Sequence, residues 1–289
     1  MPARPCFFVS DLHGALPLYR TLFTRIAQEQ PYAVFLGGDL LPSGLLSLSS
    51  ARRIYHDFLA EVLYKEFAHL QQTLGDRYPH VFLILGNDDG RFEEADIAAL
   101  ARHGVWHYAH NQQFSLDEFQ VFGYSYIPPT PFLLKDWERY DVSRFVDPGC
   151  ISPEEGYYTV EVPDEEKRWA TIQDDLAALT ENNPMERAIF LFHSPPYQTH
   201  LDRAALDGQM IDAVPLDVHV GSIAIQNFIT HSQPYLTLHG HIHESPRLTG
   251  SWQERIGRTR CFSAAHDGEE LALVRFDLSH PEQATRMLL

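Results

Sequence analysis

The chain has 289 residues, 44% of them hydrophobic and 21% charged, with a formal net charge of −17. This composition suits a folded protein with a sizeable core. The acidic balance argues against a general affinity for nucleic acid or anionic membranes, though not against one phosphate in a pocket that carries its own cations.

In chain order, the segment "PCFFVS" (5–10) reads as a short buried strand. Its apolar run is too short for a signal-peptide core or a membrane span, so a cytoplasmic location is expected. Leu18, Leu22, Phe23, Ile26 and Ala27 recur at helical spacing over 15–29, and Pro31 ends that helix. "YAVFLGGD" (32–39) is a second strand running into a Gly-Gly turn. From Ala51 to about Leu74 the apolar residues Ile54, Phe58, Leu59, Val62, Leu63, Phe67, Leu70 and Leu74 predict one long amphipathic helix. A third strand, "HVFLILGN" (80–87), is followed by a helix over 92–102 and a short strand at "GVWHY".

Alternation of strand and helix implies right-handed crossovers and a mostly parallel sheet, whose post-strand loops gather at one edge. After Gln112 the character changes. The strands "QQFSL" and "FQVFGYSY" precede a long, partly irregular insertion at about 124–156, read either as a surface loop or as a lid or oligomer contact. A helix (165–182), the strand "RAIFLFHSPP" (187–196), a loop (197–220), a helix (221–232) and the strand "YLTLHGHIHE" (235–244) follow. The end, "GRTRCFSAAHDGEELALVRFDL", reads as two antiparallel strands around an "HDG" turn, part of a second sheet stacked on the first.

Three separated cysteines, Cys6, Cys150 and Cys261, form neither a disulfide framework nor a paired metal knuckle and are read as free thiols. The 16 histidines are more telling, because many sit in polar loops beside Asp or Gly. Five segments share one layout, an apolar strand followed by Asp, Asn or His: "FFVSDLHG", "AVFLGGD", "FLILGND", "AIFLFHSPP" and "YLTLHGHIH". Together they offer Asp11, His13, Asp39, Asn87, His193, His241 and His243. Oxygen and imidazole donors without cysteine suit Mn, Fe or Zn rather than a thiolate site. Seven donors exceed the needs of one tetrahedral ion and fit two ions sharing a carboxylate.

The ordered set D-x-H, GD, GN, H and GHxH resembles that of the calcineurin-like metallophosphoesterases and extends from Asp11 to His243. The resemblance implies a single α/β domain over 1–289, a four-layer αββα sandwich of two mixed sheets flanked by helices, with the metal site at strand carboxyl ends. It assigns Asp11, His13 and His243 to a first divalent ion and Asn87, His193 and His241 to a second, with Asp39 bridging. The ions could be Mn, Fe, Zn or Ni. The implied reaction is hydrolysis of a phosphoric ester through a metal-bridging hydroxide, with Asp39 and Asn87 at the reacting centre.

One departure stands out. Many members have His after the GN asparagine, where this chain has Asp88, followed by Asp89. Near two dications a raised carboxyl pKa is opposed, so Asp88 reads as a structural or supporting group in preference to a general acid. Without that His, a small or nucleotide-like phosphodiester is favoured over a monoester. His266, in "CFSAAHDG", reads either as a simple turn residue or as a candidate for substrate contact or proton donation. His239 reads as a core histidine, His200 and His219 as loop residues near the pocket, and Arg91 as a phosphate contact or an exposed helix start. A metal-bound interaction module without activity, and a nuclease of the same fold, are the competing readings. A homo-oligomer is compatible with all of them.

Overall fold

The computed structural model describes residues 4–45 and 58–289, so the start of the helix expected from Ala51, including Ile54, lies outside the described residues. Two six-stranded mixed sheets face each other. The first runs β14 (His280–Leu288), β13 (Ala272–Asp277), β1 (Pro5–Val9), β2 (Ala33–Gly37), β3 (His80–Ile84), β4 (His107–Tyr108), and the second β11 (Gln253–Ile256), β12 (Thr259–Ser263), β10 (Leu236–His239), β7 (Ala188–Phe192), β6 (Phe119–Tyr124), β5 (Gln112–Leu116); β8 (Met210–Ile211) and β9 (Val214–Pro215) form a separate pair. In the first sheet β1, β2, β3 and β4 are parallel, and β13 and β14 add an antiparallel edge. In the second, β6, β7, β10 and β12 are parallel. There β5 and β11 form the antiparallel edges.

The uninterrupted apolar runs follow from burial on both faces of each sheet. Along β1, Cys6 and Phe8 point into the layer between the sheets, where they meet Phe35, Phe82, Ile189, Leu238 and Phe262. The alternate residues Phe7 and Val9 belong to the outer core with Leu22, Phe23 and Ile26 of helix Leu16–Glu29 and Phe67 and Leu70 of helix Lys65–Leu74. Strand period and helix period thus meet in the same side chains, which gives the expected four-layer order. Cys6, Cys150 and Cys261 are free thiols. Among the described residues no helix is long and apolar enough to cross a membrane.

The sequence reading needs correction in three places. The segments around "HDG" are not a hairpin: β12 belongs to the second sheet and β13 to the first, so this turn carries the chain from one sheet to the other. Strand β13 instead pairs antiparallel with β1 on one side and with β14, which had no assignment, on the other. The helix expected over 165–182 is two helices, Asp164–Trp169 and Ile172–Leu179. Ala170 is extended between them, and the Thr171 hydroxyl caps the second by accepting the N–H of Asp174.

The 124–156 segment is largely without regular structure but is far from a loose surface loop. Leu134, Trp137 and Tyr140 are buried, as is the Lys135–Glu138 ion pair. Asp136 accepts the N–H of Arg91 (2.7 Å), and Thr159 Oγ1 that of Phe92 (3.2 Å), so this region buttresses the turn that follows β3.

Candidate metal centre

The loops after β1, β2 and β3 in one sheet and after β7 and β10 in the other converge at the same rim. Their backbones are laced together. Asp11 N–H donates to Gly38 O, His13 N–H to Asp39 O, and Gly240 N–H to His193 O, all at 2.8–3.0 Å. Asp89, fully buried, accepts the N–H groups of Leu40, Leu41 and Gly86, and so clamps the loop after β3 to the loop after β2. The trailing acid of "GNDD" is therefore a structural clamp.

Four of the predicted ligand residues adopt left-handed backbone conformations: Asp11 (φ 59°), His13 (44°), Asp39 (52°) and His241 (75°). Such conformations cost a non-glycine residue about 1 kcal/mol or more and persist where surrounding contacts impose them, most often at functional sites. The glycine in "GND" is required by close approach. A Cβ on Gly86 would lie 2.4 Å from Asp39 Oδ1 and 2.6 Å from His193 Cε1.

The side chains point inward. One donor atom from each of Asp11, His13, Asp39 and His243 fits within 4.8 Å of every other. His13 Nε2 and His243 Nε2 face each other at 3.3 Å, and His243 Nε2 is 3.3 Å from Asp11 Oδ1. Asp11 is oriented by the Ser10 hydroxyl and by the N–H of His241. On the other side of Asp39, His193 Nε2 lies 3.4 Å from Asp39 Oδ2 and 3.0 Å from Asn87 Oδ1. Its Nδ1 bonds to the Gly37 carbonyl at 2.8 Å, so Nδ1 holds the proton and Nε2 turns to the site. The His241 ring is 5.1 Å from that of His193. All seven predicted ligands are thus gathered on one rim, with Asp39 between His13 (3.9 Å) and His193.

Burial opposes charge on all of these groups, and mutual attraction overcomes it. His243 holds Asp11 down at about 2. Asp39 is likewise lowered against burial, by His193 and His13. Burial works against the imidazolium of His13, but Asp88, Asp39 and Asp11 raise it to about 10; His193 rises to about 9 against burial through Asp39. His241, buried and next to His193, falls to about 3. The shifts thus favour the imidazolium forms of His13 and His193 and the carboxylate forms of Asp11 and Asp39.

Because these histidine pKa values exceed the unfolded value near 6.5, their stabilisation is complete below that pH and lost as pH rises through about 9–10. The melting temperature of chelator-stripped protein should therefore fall between pH 7 and 10, and added Mn²⁺ should flatten the decline; thermal scans across that range check this.

The remaining candidates have partners of their own. His239 is a satisfied core histidine, bonded to Ser194 O and Thr237 Oγ1 and lowered to about 4 by burial. His266, in the crossing between β12 and β13, bonds to Glu270 (3.1 Å). His200 pairs with Glu254 and His219 with the buried Asp202. Arg91 packs over Trp137 and pairs with Glu94, facing the 124–156 segment. Sequence reasoning overlooked Ser10 and Ser43, single hydroxyls outside any spaced motif.

No family model matches the chain, and no curated protein matches it. Solved structures do. One matches over 99% of both chains at 16% identity, with a TM-score of 0.60. A Thermus thermophilus protein matches over 99% of both chains at 16% identity and a TM-score of 0.56. A dimetal phosphatase from Danio rerio matches at 12% identity over 95% of this chain and 92% of that one, with a TM-score of 0.52. What the chain shares with these structures is the fold, two mixed sheets packed face to face and flanked by helices.

Proposed function

We propose that this chain is a metal-dependent hydrolase of phosphoric esters that holds two divalent cations. Asp11, His13 and His243 would hold one, Asn87, His193 and His241 the other, with Asp39 shared. The observation that carries this reading is the convergence of carboxylate, imidazole and amide donors from five separate loops onto one rim, four of them within 4.8 Å of one another. Structural ion pairs rarely collect several histidines around two buried carboxylates on strained backbone; metal sites do so routinely. When bound, the cations supply Lewis acidity toward the phosphoryl oxygens and lower the pKa of a water toward about 7. The protein's share is positional: Ser10 and the His241 N–H orient Asp11, the Asp88 N–H holds Asp39 Oδ1 at 2.8 Å, and Gly37 O fixes the His193 ring.

The donors are hard or borderline, which suits Mn, Fe, Zn or Ni. The net charge of −17 favours a small phosphoester over long nucleic acid. We further infer a preference for diesters with good leaving groups, because Asp88 is occupied by two hydrogen-bond donors and is not poised to protonate a departing oxygen. Turnover of bis-p-nitrophenyl phosphate, p-nitrophenyl phosphate and cyclic nucleotides tests this. Activity should vanish on chelation, return with Mn²⁺, and be higher on the diester. No turnover of any of them with Mn, Fe, Zn or Ni would favour the inactive interaction module.

A further inference from the structure

Asp88 is held by contacts on every side. Its Oδ2 lies 3.2 Å from Nδ1 of His13, and the Ser43 hydroxyl donates to its Oδ1. Its N–H donates to Asp39 Oδ1 at 2.8 Å, and its carbonyl accepts the N–H of Gly44 at 2.6 Å. Loops following three strands therefore meet on one residue. The other nitrogen of His13, Nε2, faces His243 Nε2 at 3.3 Å and Asp39 Oδ2 at 3.9 Å. An imidazole that donates Nδ1–H to a carboxylate keeps its lone pair on Nε2, so this bond selects both the tautomer and the rotation that aim His13 into the site.

We propose that Asp88 is a positioning residue, anchored by Ser43, that fixes the tautomer and orientation of His13 for a divalent cation. The inference rests on the metal-binding reading above and gives position 88 a definite task. Both carboxylate oxygens accept hydrogen bonds, one from Ser43 and one from His13, and the negative charge makes Nε2 a better donor to a cation. Ser43 is part of the same device. It prevents the carboxylate from rotating away from His13, and it comes from the loop after β2 that also carries Asp39.

The test uses Mn²⁺ alone, titrated into the chelator-stripped full chain against a fluorescent chelator. Asp88→Ala should weaken binding about ten- to hundredfold, the range found for lost outer partners of metal-bound histidines. Asp88→Asn, whose amide oxygen still accepts from Nδ1–H, should retain part of the affinity, and Ser43→Ala should lose a smaller factor. The discriminating measurement is a double-mutant cycle with His13→Ala: once the imidazole is gone, Asp88→Asn should cost nothing further. Additive losses in that cycle, or wild-type Mn²⁺ affinity in both Asp88→Asn and Ser43→Ala, would overturn the positioning role. Should Asp88→Ala fail to fold, the cycle on Asp88→Asn still decides. Failure of the unsubstituted chain to bind Mn²⁺ would overturn the metal-binding reading and this inference with it, and that outcome is distinct from intact binding that ignores residue 88.

Discussion

Replacing Asp39 by Asn should lower turnover of an activated phosphodiester by about 10³-fold or more and strip metal from both halves of the site. The expectation comes from where this carboxylate sits. It is buried, with Oδ2 3.4 Å from His193 Nε2 and 3.9 Å from His13 Nε2, and Oδ1 held by the N–H of Asp88. The Asn side chain has nearly the same shape, so the sheets should stay intact. Circular dichroism unchanged from wild type, together with metal content from elemental analysis, separates a lost ligand from a lost fold. A variant that keeps its metal and its rate would remove Asp39 from the chemistry.

Gly86→Ala should be as damaging by another route. The added Cβ would meet Asp39 Oδ1 at 2.4 Å, Asp39 N at 2.5 Å and His193 Cε1 at 2.6 Å. Real Cβ contacts do not come so close, and here the neighbours cannot yield cheaply. Asp39 is tied through its carbonyl, which accepts the His13 N–H, and through Oδ1, which accepts the Asp88 N–H, and His193 is fully buried. One methyl group therefore pushes the central carboxylate and a histidine apart at once. Overpacking typically costs about 1–3 kcal/mol, and contacts this close place the substitution at the upper end of that range. We expect a drop in melting temperature, loss of Mn²⁺ binding and loss of activity together. Near-wild-type values of all three would mean that the rim is looser than its packing indicates.

Much of this site was legible in the sequence because its logic is local. Each ligand follows an apolar strand, and the strand's two-sided burial makes the run easy to see, as in "FFVSD" and "FLILGND". Because the ligand-bearing strands β1, β2 and β3 lie side by side in one sheet, and β7 and β10 in the other, their ends had to converge.

What could not be read was the pairing of elements that look alike locally. Strands β12 and β13 are both apolar and are joined by a turn, so composition suggests a hairpin, yet they enter different sheets because each faces the central layer from its own side. The break between Asp164–Trp169 and Ile172–Leu179 did carry a signal: Thr171 and Asp174 form a capping pattern, hidden by helical spacing that continues across it. The parts played by Ser43 and Asp88 left no local signature, since a hydroxyl and a carboxylate 45 residues apart meet only once the loops have closed.

The central claim is that this rim holds a pair of divalent cations. Anomalous scattering from crystals grown with Mn²⁺, recorded on either side of the manganese edge, tests it most directly. Two peaks roughly 3.5–4 Å apart are expected, one beside Asp11, His13 and His243, the other beside Asn87, His193 and His241, with Asp39 reaching both. A single peak remote from Asp39, or none at this rim while the protein is folded and Mn²⁺ is in excess, would contradict it.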